Sequence, residues 1–557
     1  AYEMLRSLVG SEMCIRDRRK ENFMKEKIYY NGNIITMEDS ICGDAILIKD
    51  KIIKKIGTKE EVFALKNKDT EIIDLQGKTL MPSFIDSHSH LIAFATTLKL
   101  VPLEDATSFK DIVKKIQDFK ESNNIKKGDW IIGFSYDNNF LEENKHPDKS
   151  VLDSASSENP ILISHASGHM GAANTLGLKQ LGVTNETRDP EGGHIGRVEG
   201  SEEPNGYLEE NAFFNVASKI KQPSSNEIFN SIEKAQNIYL SYGITTAQEG
   251  LMEENQFNIL KAMANQNKLK MDVVGYVNLK KSKSVLDNNR EFIKKYINRF
   301  KVGGYKIFLD GSPQGKTAWL SRPYENSDDG YCGYPIYKDE EVEKFIDISL
   351  KEKMQLLTHC NGDAAADQLI DAFEKVLNLK EQSSENNIRP VMIHAQTVRA
   401  DQIDDMKVIN MIPSYFVAHT YYWGDIHIKN LGEDRAFKIS PLKTTIEKGL
   451  IYTLHQDTPV IAPNMLETVW CAVNRITKKG IQIGENEKIS PLDALKGVTI
   501  NAAYQYFEED KKGSIKEGKL ANLIILDENP LTIDPMKIKD IKVLQTIREG
   551  EVLYSLK

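Results

Sequence analysis

Eight short runs rich in apolar and β-branched residues recur between residues 79 and 457, separated by stretches long enough for helices. They are TLMPSFID (79–86), GITTAQEG (243–250), MDVVGYV (271–277), GGYKIFLD (303–310), MQLLTHC (354–360), PVMIHA (390–395), NMIPSYF (410–416) and GLIYTLHQD (449–457). Such alternation predicts repeated βα units and a parallel sheet. Eight parallel strands close into a (β/α)8 TIM barrel, with functional groups gathered at the C-terminal strand ends. The expected fold is therefore α/β, with the barrel spanning residues 81–511.

One connection is too long for a simple loop. Residues 91–242 carry elements of their own, a helix near 107–120 and a strand at PILISHA (160–166). They read as a lid or subdomain inserted after strand one over the barrel mouth. Both chain ends are β-rich, and residues 24–80 and 512–557 are expected to build one small sheet domain into which the barrel is inserted. Turn signals at Asn31-Gly32, Asp50-Lys51 and Gln76-Gly77 punctuate its strands. The segment SLVGSEMCIRDR (7–18) resembles a translated sequencing adaptor, and Met24 reads as the start. Residues 1–23 are expected to be a non-native, disordered leader, the alternative being a short arm docked on the surface.

Composition excludes several classes. The net charge of −9, from 72 basic and 81 acidic residues, disfavours a general nucleic-acid binder. No run of eighteen apolar residues is present, so no bilayer-spanning helix and no membrane partner is expected. Five scattered cysteines (Cys14, Cys42, Cys332, Cys360, Cys471) without a CxxC pair argue for a reducing compartment, read as the cytoplasm. There is no phosphate loop, no GxSxG elbow and no dinucleotide fingerprint in strand–helix context. A small-molecule substrate is the expected partner, with a homo-oligomer left open.

The chemistry concentrates at strand ends. His88 and His90 leave strand one; Lys306 sits inside GYKIFLD; His359 ends QLLTH; His394 ends VMIH; Asp457 ends IYTLHQD. From His359 to His394 is 35 residues, one βα unit, and Asp457 follows 63 residues later, two units on. Each residue has a plain alternative. Lys306 could snorkel to a rim, His359 and His394 could be backbone-bonded core histidines, and Asp457 could cap a helix before Pro459. Together they suit one site. Four imidazoles with a carboxylate fit zinc or a similar first-row divalent ion. Such an ion activates water, and a carboxylate such as Asp457 can move its proton to a leaving group.

The blocks MPSFIDSHSHL, GYKIFLDGSPQGKTAWL, THCNGDAAADQLI, IHAQTVRADQI, HQDTPV and KGSIKEGKLANLIILD, in this order over residues 27–555, resemble the amidohydrolase superfamily, and within it amidohydrolase family 3, the YtcJ-like metal-dependent hydrolases. The resemblance implies a distorted eightfold barrel with a small β-sandwich. It implies that His88, His90, His359, His394 and Asp457 form the metal shell of one or two divalent ions, Zn2+ by expectation. It places Lys306 where many members carry a carboxylated lysine bridging two metals. The last-strand block departs from the usual GSDxPV, with His455 and Gln456 ahead of Asp457; His455 reads as a partner of a ligand rather than a ligand.

Candidate substrate contacts are His169 and Asn174 in ISHASGHMGAAN, and His419 with Tyr421, Tyr422 and Trp423 in SYFVAHTYYWGD. The alternatives are a cap and turn inside the insertion, and a packed loop. Asp310 and Arg435 are weaker candidates, each with a rim ion pair as alternative. The resemblance implies hydrolysis of non-peptide carbon–nitrogen bonds, Asp457 acting as proton carrier. A deaminase or cyclic amidase at the same site, or a non-catalytic metal-binding scaffold, is the alternative.

Overall fold

The turn signals sit where backbone sterics require them. Asn31 (φ 59°), Gln76 (φ 52°) and Gly77 (φ 80°) adopt left-handed conformations, as do both Asp50 (φ 50°) and Lys51 (φ 72°). Two successive positive-φ residues match the twist of an antiparallel hairpin, here Ala45–Lys49 with Ile52–Gly57. The computed structural model describes residues 26–165, 169–220, 224–325, 327, 329–379 and 388–557. The expected leader, residues 1–23, lies outside the described residues.

The chain divides into two units, one comprising the described residues through His90 with Gln236–Lys557, the other Leu91–Ala235. In the first, two small sheets hold the chain ends. One orders Ile52–Gly57, Ala45–Lys49, Lys27–Tyr30 and Glu71–Asp74; the other orders Asn33–Ile34, Thr79–Pro82, Leu523–Leu526, Val543–Arg548 and Glu551–Ser555. Pairing of Met81 with Ile524 joins the early and late segments in one sheet. Tyr29, Ile46, Ile53, Leu80, Leu523 and Ile547 bury one shared apolar core between the sheets.

The barrel sheet contains eight parallel strands in chain order: Phe84–Ile85, Ile244–Met252, Asp272–Asn278, Phe300–Phe308, Gln355–Cys360, Val391–His394, Ile412–Tyr415 and Thr453–Leu454. Its first and last strands meet just past their ends. Asp457 N–H donates to His88 O (3.2 Å), His90 N–H to Thr458 O (2.8 Å) and Ser87 Oγ–H to Leu454 O (2.9 Å). Ile85, Val274, Leu357, Ile393, Ile412 and Tyr506 fill a continuous core. Burial of side chains of this size contributes roughly 1.5–3 kcal/mol each.

One strand differs from expectation. TLMPSFID does not run as a single barrel strand. Thr79–Pro82 belongs to the small sheet and only Phe84–Ile85 to the barrel. The chain changes sheets at Ser83, whose N–H donates to Asn522 O while that of Phe84 donates to Gly243 O. Pro82, lacking an N–H, can end one ladder without leaving a donor unpaired. Met81 and Pro82 are thus placed with the small sheet and not with the barrel.

The second unit has its own six-stranded sheet, ordered Gly193–Arg197, Pro204–Glu210, Met170–Ala173, Ile161–His165, Ile131–Tyr136 and Leu100–Pro102. Side-chain alternation gives it two cores: Ile161 and Ile163 pack with Ile112 and Leu152, while Leu162 packs with Leu178 and Leu208. The glycine-rich GGHIGR stretch forms the edge strand Gly193–Arg197. No helix among the described residues is long and apolar enough to cross a membrane.

Candidate metal centre

The strand ends bring four predicted residues to one point. Nε2 of His88 lies 3.5 Å and Nε2 of His90 3.4 Å from Oδ1 of Asp457. Donor atoms of these three residues all fall within 4.8 Å of one another, a spacing that one ion can span. Nζ of Lys306 is 3.5 Å from Nε2 of His88. Nε2 of His394 lies 3.8 Å from Oδ2 of Asp457, and the His359 and His394 rings are 4.6 Å apart. All six residues predicted as metal shell therefore line one end of the barrel, with His88, His90 and Asp457 closest together.

Backbone geometry aims two of them. His394 (φ 77°), Ala395 (φ 47°) and Asp457 (φ 54°) take left-handed conformations that side-chain-bearing residues rarely adopt. Such positions cluster where a site holds its groups against local preference.

Hydrogen bonds commit the imidazoles. The Gln248 amide donates to Ser87 O (2.7 Å) and the Tyr506 hydroxyl (3.0 Å), so its oxygen faces Nδ1 of His88 at 2.6 Å as an acceptor. Nδ1 of His88 must therefore carry the proton, which leaves the Nε2 lone pair facing Asp457. A second chain runs from His394 Nδ1 to His455 Nε2 (3.2 Å), His455 Nδ1 to Ser414 Oγ (2.8 Å), Ser414 Oγ to Ser87 Oγ (3.4 Å), and Ser87 Oγ to Leu454 O (2.9 Å). A carbonyl only accepts, so one direction satisfies every member: each group donates toward Leu454. His394 then also presents a bare Nε2. His359 faces Asp310 Oδ1 through Nδ1 at 3.4 Å. That carboxylate is buried and takes the N–H groups of Asn361 (2.9 Å), Gly362 (2.7 Å) and Trp319 (3.1 Å), so it is no rim ion pair.

The electrostatics favour a cation. Among the described residues, the buried Oδ1 of Asp457 has no hydrogen-bond partner. Burial alone would raise this carboxyl, but His90, His455 and Lys306 hold it below its ordinary value. Burial, with Lys306 adding to it, keeps His88 far below the imidazole range, and burial with His359 does the same for His394. Burial pushes the Lys306 amine down to about 7, against the opposing pull of Asp457. Neutral imidazoles, a bare carboxylate oxygen and a readily deprotonated amine are the protonation states a divalent ion requires of its ligands. The residues present fit such an ion.

Gln248, Ser87, Ser414 and Asp310 complete this arrangement, and only Asp310 was singled out by sequence. The criterion that picked Lys306, a polar side chain inside a strand run near its C-terminal end, also picks Gln248 in GITTAQEG.

The predicted substrate contacts fare unevenly. Asn174 is a correction. Its oxygen accepts from Ile161 N–H (2.9 Å) and Gly177 N–H (2.7 Å), and its amide donates to Ser156 O (3.0 Å) and Asn159 O (2.9 Å). This fully buried helix cap has no hydrogen bond left for a substrate. His169 is exposed in the same unit, with Nδ1 3.1 Å from Glu210. Arg435 donates to three carbonyls, those of Leu431 (2.7 Å), Arg322 (3.0 Å) and Pro323 (2.7 Å), and lines a separate cavity of about 600 Å³ with Arg322 and Arg399. It clamps a loop, and none of the residues predicted as metal shell lines that cavity. His419 is buried beside Phe416 and Trp423, its Nδ1 3.0 Å from Nε2 of His427. The Tyr422 hydroxyl instead donates to Glu467 (3.0 Å).

Comparison with known proteins agrees with this geometry. The chain is 26% identical to an N-substituted formamide deformylase of Arthrobacter pascens, covering 95% of this chain and 98% of that one. It is 27% identical to the putative amidohydrolase YtcJ of Bacillus subtilis (strain 168), covering 95% and 99%. The fold matches the crystal structure of an uncharacterized metal-dependent hydrolase from Pyrococcus furiosus with a TM-score of 0.72 at 24% identity, covering 91% and 100%. The sequence model described as the amidohydrolase family matches residues 71–554, and by that match over most of its length the chain belongs to the amidohydrolase family.

Proposed function

We propose that this protein hydrolyses non-peptide, amide-like carbon–nitrogen bonds of a small molecule, using zinc or a similar divalent ion held by His88, His90 and Asp457. Lys306, His359 and His394 complete the shell of one ion or of two. The observation that carries the reading is the Asp457 carboxylate set within 3.5 Å of Nε2 of both His88 and His90, with the His88 lone pair facing it. An ion bound there would polarise the scissile carbonyl and make water a nucleophile at neutral pH. The chain's own groups do the rest. Asp457 takes the proton of the attacking water and delivers it to the leaving nitrogen. His419, with Phe416 and Trp423, forms an aromatic wall beside that point. Support for the bond type comes from the deformylase named above, and the four described cysteines, all unpaired, suit a cytoplasmic enzyme.

The test is turnover by the zinc-loaded protein against N-formyl and N-acyl amines, aminated heterocycles and cyclic amides. Release of formate or another carboxylate with a free amine is expected. Ammonia from a heterocycle, or ring opening alone, would replace the reading with deamination or cyclic amide hydrolysis. No turnover by the fully metallated protein would leave a binding scaffold.

A further inference from the structure

The end of the barrel opposite the metal centre holds a cavity of about 810 Å³ with an excess of positive charge. It is walled by residues at the starts of two barrel strands (Asp272, Arg299, Lys301), by turns of the small sheets (Lys51, Arg548, Glu549) and by the segment containing Phe507, Glu508, Lys511 and Lys512. Lys294, Lys295 and Tyr296 close one side. Its size lies within the roughly 300–1,000 Å³ usual for small-molecule sites.

Eight cationic side chains and three carboxylates line it, an excess of five positive charges in a chain whose net charge is −9. The carboxylates are already shared. Glu508 pairs with Lys301 (2.6 Å) and Lys512 (2.8 Å), Asp272 with Lys512 (2.7 Å) and Arg299 (3.1 Å), and Glu549 with Arg299 (3.1 Å) and Lys51 (3.2 Å). Among the described residues the other four cations have no carboxylate at ion-pair distance, although Asp272, Glu549 and Glu551 act on Arg548 from further away. Lys294 donates to Lys353 O and Arg548 to Lys270 O. Nε of Arg548 is buried without a partner, and the Lys295 and Lys511 side chains have no polar contact among the described residues. Like charges gathered in a concavity focus their potential inward. Burial and the neighbouring Arg299 lower the Arg548 pKa in spite of the opposing pull of Asp272, Glu549 and Glu551, a cost that a further anion would relieve.

We propose that this cavity binds a small molecule carrying phosphoryl groups, at a site separate from the metal centre. Lysine and arginine at a concave wall match phosphate oxygens in charge and hydrogen-bond geometry. The ligand would touch the small sheets, the barrel floor and the 507–512 segment together, so its binding would stabilise the native state by mass action.

The experiment uses the metal-loaded full chain. Calorimetry and thermal denaturation are run with fructose 1,6-bisphosphate and with inorganic phosphate, each against sodium chloride of equal ionic strength. Saturable binding and a saturating rise in Tm are expected for the bisphosphate, with weaker binding of phosphate. The double variant Lys295→Gln/Lys511→Gln alters two exposed, unpaired side chains and should fold normally. It is expected to weaken bisphosphate binding by about tenfold or more, with turnover at the metal centre unchanged. Responses indistinguishable from those to sodium chloride would overturn the proposal. So would unaltered binding by the double variant, or binding of a duplex oligonucleotide without binding of the bisphosphate.

Discussion

Nε2 of His455 lies 3.2 Å from Nδ1 of His394, and both rings are buried. The pair forms the top of a hydrogen-bond chain that ends on the carbonyl of Leu454 through Ser414 and Ser87. Because that carbonyl only accepts, the chain has a direction, and the direction decides which nitrogen of His394 is bare. On the reading proposed above, His455 orients the ligand His394 without being a ligand itself. His455→Phe is expected to weaken metal binding by roughly 10–100-fold, the usual cost of losing such a partner. His455→Gln, which can accept from His394 and donate to Ser414, should restore most of it. Titration against a competing chelator reads both, and wild-type affinity in His455→Phe would show that the chain does not set the tautomer.

Gln248 plays the same part for His88. Its amide is held by Ser87 O and the Tyr506 hydroxyl, so the acceptor cannot rotate away without losing both. Gln248→Leu should lower metal affinity by a similar factor of roughly 10–100 while leaving the barrel folded. Metal content after dialysis against chelator, set beside circular dichroism, checks the two halves of that statement.

These partners mark the boundary of what the sequence discloses. The barrel strands were legible because apolar and β-branched residues recur at βα spacing, and the clustering of Lys306, His359, His394 and Asp457 because they stand at run ends. Ser87, Gln248 and Ser414 are neutral polar residues, whose roles depend on which strand lies beside which. The split at Ser83 was hidden for a related reason: TLMPSFID reads as one continuous strand-like run, and only tertiary pairing tells that its two halves serve different sheets. His455 was visible as a departure beside Asp457, but its contact with His394 spans 61 residues.

Asn174 looks like a substrate contact in the linear motif, yet it makes four buried hydrogen bonds. Asn174→Ala would leave several of its partners unsatisfied at about 1–3 kcal/mol apiece. A loss of stability of about 3 kcal/mol or more is expected by thermal or urea denaturation. KM measured well below the transition should be unchanged. A raised KM with normal stability would return Asn174 to the substrate.

The buried group of Glu508, Lys301 and Lys512 predicts an acid limit to stability. Burial works against the Glu508 carboxylate, but the two lysines outweigh it and bring its pKa down to about 2 from an ordinary 4.5. A depressed carboxyl pKa contributes stability that is complete above the unfolded value and lost as pH falls through the folded one. The contribution is about 3 kcal/mol near neutral pH, and it fades between pH 4.5 and 2. In metal-free protein, the stability gap between wild type and Glu508→Gln should therefore shrink across that interval. A gap independent of pH would place the effect in packing rather than charge.

Asp457 and His359 separate proton transfer from metal retention. Asp457→Asn keeps the shape of the side chain but removes both the charge between His88 and His90 and the proposed proton acceptor. Turnover should fall by roughly 10²–10⁴-fold, the range for losing a positioned acid–base group, together with weaker metal binding. His359→Ala removes an imidazole whose ring is packed 4.6 Å from that of His394 and which faces the buried Asp310. It is expected to abolish activity and to reduce the metal bound per chain, with Asp310 left facing a cavity. Metal analysis and turnover measured on the same samples check this. If His359→Ala kept both full metal content and activity, His359 would fall outside the metal shell, and only the grouping of His88, His90 and Asp457 with its neighbours His394 and Lys306 would remain.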